Sequence, residues 1–122
     1  AEAERPVAAA RGRARPVAGR MTGSGDNVAW SAAAGARVVS PCSGRVAFAQ
    51  PFRSYGLLVI LDCGGGYHAV LSGLGRLDAA AGQRVSAGEA VGVMGGGDRS
   101  TLELELRRNG RVVDPRPWLG AG

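Results

Sequence analysis

The side chains that most often carry out chemistry in proteins are scarce in this sequence. Its 122 residues include one histidine, His68, and two cysteines, and all 15 basic residues are arginines. A chain without lysine cannot form a lysine Schiff base or bind phosphate through a phosphate-loop lysine. It also offers no amine to which biotin or lipoate could be attached. These functions are therefore excluded.

No spacing of cysteine and histidine predicts a zinc site, since the chain has no Cys-x-x-Cys pair and one imidazole in total. Side chains at positions i and i+2 of a strand lie on one face, which is how a His-x-His pair can hold a metal. On the last alternating stretch the two positions are Thr101 and Glu103, so this arrangement is absent. No serine lies in a G-x-S-x-G nucleophile motif either.

His68 follows a run of three glycines, and its chain neighbours, Tyr67 and Ala69, offer no carboxylate to orient it as a general base. The preferred interpretation is a structural, hydrogen-bonded histidine. A role as a metal ligand is the alternative.

The elements that position these residues are short strands. The chain contains 21 glycines but only 5% aromatic residues, which indicates many tight turns around an aliphatic core. We predict an all-β fold of antiparallel sheets with about seven or eight short strands and little or no helix. The expected strands are 36–40, 45–50, 57–61, 67–71, 83–87, 90–94, 101–107 and 111–113, the last two joined by an Asn109-Gly110 turn.

Strict alternation over residues 101–107 predicts which side chains are buried. Its three leucines, at positions 102, 104 and 106, are expected to face the core. The opposite face then carries Thr101, Glu103, Glu105 and Arg107.

Charge is distributed unevenly along the chain. The net charge is +5, and residues 1–20 contain five of the 15 arginines. We predict a flexible Ala/Arg/Pro-rich linker at residues 1–16 and a globular domain at 17–122. The globular part has no basic stripe interleaved with aromatics, which disfavours nucleic acid. No apolar run is long enough for a membrane span, and no signal peptide is expected at the start.

Several segments, in order and spacing, resemble the LytM (lysostaphin-like) peptidase domain. Gly82 to Gly92 read G-x-x-V-x-x-G-x-x-V-G, close to a characteristic hairpin of that family. The resemblance covers about residues 17–119, and its other parts are Gly35–Pro41, Ser43–Val46, Ser54–Ile60 and Leu104–Pro115. It implies a LytM-type arrangement of antiparallel sheets.

The resemblance also implies where zinc ligands would be. Active members hold zinc with an H-x-x-x-D motif and an H-x-H motif, and the matching positions here are Gly25, Ala29, Thr101 and Glu103. A single carboxylate is too few, because a catalytic zinc needs about three protein ligands. We therefore expect no enzyme activity and no cofactor. The chain is similar to a degenerate branch, the EnvC-like murein hydrolase activators.

For such an activator the resemblance implies binding of a periplasmic zinc amidase, whose autoinhibitory segment would enter the vestigial groove. Peptidoglycan is a further candidate partner, and a division-associated membrane complex would be reached through regions outside this chain. The candidate groove residues are Val39, Tyr55, Leu71, Glu103 and Arg107. Two alternatives stay open: a zinc endopeptidase using Glu103, His68 and an aspartate, and a plain peptidoglycan-binding module.

The two cysteines lie near the ends of a predicted hairpin. If strands 45–50 and 57–62 pair, Arg45 lies opposite about residue 62, and Cys63 comes within reach of Cys42. A disulfide is then possible, and an extracytoplasmic location would favour it. Two reduced thiols remain the alternative.

Overall fold

A computed structural model describes residues 13–23, 25–97 and 99–120. Within them the chain forms ten strands, a 3-10 helix at Arg53–Tyr55 and one short α-helix, α1 (Pro115–Leu119). The strands are β1 (Arg20–Thr22), β2 (Val28–Ala33), β3 (Arg37–Val39), β4 (Gly44–Pro51), β5 (Leu57–Gly64), β6 (Tyr67–Leu77), β7 (Arg84–Val85), β8 (Ala90–Met94), β9 (Arg99–Arg108) and β10 (Arg111–Val113). The predicted antiparallel all-β fold with little helix is confirmed.

The strands form one antiparallel sheet in the order β1-β2-β9-β6-β5-β4-β7. At its sides β10 pairs with β9, while β8 pairs with both β3 and β6. The longest strands, β6 and β9, lie at the centre of this order and pair in register from Tyr67–Arg108 to Ser72–Glu103. A sheet this strongly hydrogen-bonded holds side chains from distant parts of the sequence in fixed rows.

Turn residues enforce the two hairpins next to the centre. Asn109 and Gly110 both have positive φ, 51° and 84°, as the turn joining β9 and β10 requires. Gly65 and Gly66, with φ of 63° and 84°, connect β5 to β6. These backbone angles are easy for glycine and costly for most other residues.

The core lies on one face of the central strands. Leu102, Leu104 and Leu106 of β9 are fully buried there, as the alternation predicts. Trp30 of β2 is the largest fully buried side chain. Aliphatic residues of β3 to β8 complete the core, in keeping with the low aromatic content.

The N-terminal part of the described chain packs onto the domain. The Ala14 amide donates to the Pro41 carbonyl at 3.0 Å, and the Val39 amide donates to the Pro16 carbonyl at 2.8 Å. The Arg13 guanidinium lies 4.5 Å from the centre of the Trp118 ring. Residues 13–16, which are predicted from the sequence to belong to the linker, thus contact the domain predicted for residues 17–122. The linker predicted for residues 1–12 lies outside the described residues.

Cys42 and Cys63 are joined by a disulfide, with their Cα atoms 5.7 Å apart. Pairing of β4 with β5 places Arg45 opposite Asp62, the register expected from the sequence. The bridge links two positions that are 21 residues apart in the sequence, at the open end of this hairpin. Among the described helices, none is long and apolar enough to cross a membrane.

Candidate functional site

A groove of about 420 Å³ runs over the face of the sheet that is turned away from the core. Its floor is a row of side chains that are neighbours across four strands. Phe48 of β4 lies opposite Ile60 of β5, Ile60 opposite Val70 of β6, and Val70 opposite Glu105 of β9. The floor is therefore apolar over three strands and acidic at the fourth.

An aromatic wall, formed by Phe48, Phe52 and Tyr55, bounds one side of the groove. The rings of Phe48 and Phe52 meet edge to face at 5.9 Å, and those of Phe52 and Tyr55 stack at 6.1 Å. Phe52 and Tyr55 lie at or beside the 3-10 helix between β4 and β5, where the Phe52 amide donates to the Gly56 carbonyl at 2.9 Å. Tyr55 remains 56% exposed, so its ring is available to a partner.

The opposite rim is formed by the outward face of β9. The Arg107 guanidinium donates to the Glu105 carboxylate, and both side chains are a little under half exposed. Within the described residues the Glu103 carboxylate has no hydrogen bond or ion pair. The rim thus combines a neutralised pair with one uncompensated negative charge.

A second hollow of about 320 Å³ continues the groove past Glu103. It shares Tyr55, Ser72 and Glu103 with the first hollow, and its further lining residues are Ser54, Gly73 and Thr101. A Cβ on Gly73 would lie 2.2 Å from the Thr101 carbonyl oxygen, so only glycine permits this close approach of β6 to β9. The complete groove therefore has an apolar part and a polar part.

Of the five predicted groove residues, Tyr55, Glu103 and Arg107 line the groove. Leu71 does not, because it is fully buried in the core and offers no surface to a partner. Its neighbour Val70 faces the groove instead. Val39 lies on β3, which pairs with β8, and it is not among the lining residues. The burial of Leu71 corrects the prediction from the sequence for that residue, while a role for Val39 stays a prediction.

Sequence reasoning missed Phe48, Phe52, Ile60 and Val70. Alternation does not identify Phe48 or Val70. A bulge between Val46 and Phe48 moves Phe48 off the face of the buried Val46, and Val70 is followed by the equally apolar Leu71. The position of Phe52 depends on the loop after Pro51, which no periodic pattern encodes.

His68 lies at the charged end of the same sheet face, beyond the groove. Its cross-strand neighbours are Asp62 on β5 and Arg107 on β9. The His68 Nε2 atom is 4.0 Å from Asp62 Oδ2, with both side chains about half exposed. Glu103 is four residues from Arg107 along β9, about 13 Å at the rise of a strand. The alternative ligand set of Glu103, His68 and an aspartate is therefore not brought together.

Comparison with known proteins gives the family. Residues 23–115, which include the whole groove, match the family described as Peptidase family M23. The chain belongs to this family. The resemblance to LytM domains noted from the sequence is therefore confirmed.

Two relatives of this M23 domain carry informative names. It is 36% identical over 92 residues to the protein named Murein hydrolase activator EnvC of Escherichia coli strain K12, which covers 73% of this chain and 22% of EnvC. It is also 36% identical over 88 residues to the Lipoprotein NlpD/LppB homolog of Pseudomonas aeruginosa, covering 70% of this chain and 30% of that protein. The chain spans less than a third of either relative.

A solved structure shows the same fold. A peptidase M23 of Pseudomonas aeruginosa superposes with a TM-score of 0.79 and 24% sequence identity, over 90% of this chain and 51% of that one. This likeness concerns the fold alone, because the sequence identity is low.

The M23 domain does not present residues that fit a zinc ion at the positions that the resemblance assigns to ligands. Ala29 lies directly opposite Glu103 in the β2–β9 ladder, and Ser31 lies opposite Thr101. Gly25 lies in the turn before β2. Among the described residues no three side chains of His, Cys, Asp or Glu are grouped so that they could hold a metal. Glu103 alone is far from the roughly three ligands that a catalytic zinc needs.

Proposed function

We propose that this M23 domain is a non-catalytic activator of a peptidoglycan amidase, N-acetylmuramoyl-L-alanine amidase, in the periplasm. It acts by binding the amidase segment that covers the amidase's own active site. In this proposal the groove beside β9 holds a protein segment instead of zinc and substrate.

The observation that carries the proposal is the pairing of Ala29 with Glu103, the residue that lines an otherwise well-formed groove. A methyl group and a lone carboxylate provide no metal centre at this point. The floor and the aromatic wall nevertheless form a concave apolar surface, which is what an amphipathic segment requires.

Activation by this route is a shift of a conformational equilibrium. An amidase whose inhibitory segment detaches transiently is active only in the detached state, so a protein that binds this segment favours that state. The groove contributes apolar contacts from Phe52, Tyr55 and Ile60, and its rim orients the segment through charge. The size of the activation is limited by the difference in affinity of the domain for the two states.

Two relatives support this assignment. The name of EnvC describes it as a murein hydrolase activator, and the NlpD/LppB homologue is described as a lipoprotein. Both names fit a role in the bacterial envelope. The disulfide between Cys42 and Cys63 fits an oxidising compartment such as the periplasm. In this role the domain would serve cell-wall remodelling and separation of daughter cells.

Binding to two forms of the amidase tests the proposal. The domain, labelled at its N-terminus, is titrated with the intact periplasmic amidase of the same organism and with the amidase lacking its inhibitory segment. We expect saturable binding to the intact enzyme and at least tenfold weaker binding to the truncated one. Equal binding to both forms would contradict the proposal, because the contact would then lie elsewhere on the amidase.

A further inference from the structure

Among the residues that the structure describes, Glu103 is an unpaired charge in a groove whose other charges are matched. The neighbouring Glu105 carboxylate accepts a hydrogen bond from the Arg107 guanidinium. Within the part of the chain that the structure describes, no comparable contact reaches Glu103. Its cross-strand neighbours, Ala29 and Ser72, carry no charge.

Glu103 also lies where the two parts of the groove meet. Together with Tyr55 and Ser72 it borders both the apolar hollow and the polar hollow. A segment that fills the groove along its length must therefore pass over this carboxylate. The small side chain of Ala29 on the far side leaves the carboxylate accessible to an incoming group.

Covering Glu103 has an energetic consequence. A segment that excludes water from a carboxylate without supplying a partner leaves a desolvated, uncompensated charge, which is strongly unfavourable. A segment that supplies a cation gains a charge-assisted hydrogen bond at the same point. Glu103 therefore selects between segments: it disfavours neutral and acidic ones and favours basic ones.

The distance between the rows of Glu103 and Glu105 determines where the bound segment must carry its cationic side chain. Glu103 and Glu105 lie in neighbouring rows on one strand face, about 7 Å apart at the rise of a β-strand. The row of Glu105 contains the apolar floor of Ile60 and Val70. One turn of an α-helix spans about 5.4 Å, so residues three or four apart on a helix can reach the two rows together.

We propose that the amidase segment bound in the groove is a helix that presents an arginine or lysine to Glu103. Three or four residues away it presents an apolar side chain, which packs against Ile60, Val70 and the aromatic wall. This inference rests on the proposed function and adds the chemistry by which the domain recognises its amidase.

A charge-removal experiment tests the selectivity. Glu103→Gln keeps the shape of the side chain and removes its charge. Glu89→Gln is the matched control, because it removes one charge outside the groove while the Gln oxygen can still accept from the Ser86 amide. We expect Glu103→Gln to weaken binding to the intact amidase at least tenfold at low salt and to reduce the salt dependence of binding. The control is expected to bind like the wild type.

A charge reversal then identifies the partner residue. Each arginine and lysine of the inhibitory segment is changed in turn to glutamate, and every variant is assayed with wild-type domain and with Glu103→Arg. We expect one amidase variant to lose activation by the wild type and to regain it with Glu103→Arg.

The outcomes distinguish a failure of this inference from a failure of the proposed function. If the wild-type domain activates the amidase but Glu103→Gln activates it equally well, this inference is overturned and the proposed function stands. Weaker activation by Glu103→Gln without any rescuing amidase variant overturns it too. Failure of the wild type to activate any amidase of the organism overturns the proposed function itself. Circular dichroism of each domain variant verifies that it is folded.

Discussion

Ala29 of β2 lies directly opposite Glu103 of β9 in the antiparallel ladder. The M23 fold thus brings together the two strand positions at which the resemblance to active peptidases places zinc ligands, but here the side chains are a methyl group and one carboxylate. The groove beside Glu103 has an apolar floor and an aromatic wall. Among the described residues, no group of side chains in or near this groove fits a metal ion.

Restoring the missing ligands is expected to restore zinc binding. The triple variant Gly25→His, Ala29→Asp and Glu103→His should retain about one zinc per chain after dialysis, measured by plasma mass spectrometry, whereas the wild type should retain none. Gly25 has φ of 62° and no atom within 4 Å of an added Cβ, and histidine tolerates this backbone region better than most residues.

The variant Gly25→His, Ala29→Asp and Glu103→Ala is the control for incidental binding, and we expect it to bind zinc much more weakly than the triple variant, because it lacks the third ligand. No zinc in the folded triple variant would mean that these positions do not form the ligand set.

Truncating the aromatic wall is expected to weaken activation of the amidase. Phe52→Ala and Tyr55→Ala each remove a large apolar contact, for which a loss of about 1–2 kcal/mol of binding free energy, about tenfold in affinity, is typical. Met21→Ala is a matched control, because Met21 and Phe52 are both 39% exposed and Met21 lies on β1 outside the groove. Equal activation by all three variants, measured by titration, would exclude the wall from the interface.

Removing the disulfide is expected to destabilise the domain without altering the groove. The double variant Cys42→Ala, Cys63→Ala removes the link between two positions that are 21 residues apart in the sequence. The chain-entropy model predicts that the free energy of unfolding then falls by about 3 kcal/mol. Guanidinium denaturation of the wild type and the double variant measures the difference. A reductant should affect only the wild type. Two titratable thiols in the native wild type would contradict the bridge.

The Arg76–Asp78 pair predicts a local pH dependence. Two hydrogen bonds, of 2.9 and 3.0 Å, join the guanidinium to the carboxylate, and they lower the pKa of Asp78 below its usual value. Since the folded-state pKa is depressed, the stabilisation is present above the ordinary aspartate pKa and is lost as pH falls through the folded value. An NMR titration should show the Asp78 pKa rising in Arg76→Ala. An unchanged pKa would show that the hydrogen bonds do not form in solution.

Alternation predicted which face of β9 points outward. It did not predict which side chains of β6 face the groove. On β9 three leucines at every second position leave one possible inward face, and the outward face of Glu103 and Arg107 follows. On β6 both Val70 and Leu71 are apolar, so the sequence does not say which one faces the groove. Packing against β5 and β9 decides it, and Leu71 is buried.

Other features depend on contacts between distant segments. Strand β2 was not predicted because its alanines carry little strand preference, and its burial comes from pairing with β9. The proximity of Asp62 to His68 arises from the β5–β6 register, and neither residue is a chain neighbour of the other. The aromatic wall likewise requires the loop after Pro51 to fold back over the sheet.

Release of dye from labelled peptidoglycan tests the central claim most directly. The domain alone, the intact amidase of the same organism alone, and both together are compared at equal concentrations. The account predicts release well above background only when both proteins are present. Release by the domain alone would contradict it, because the domain would then be a peptidoglycan hydrolase despite the residues at its ligand positions.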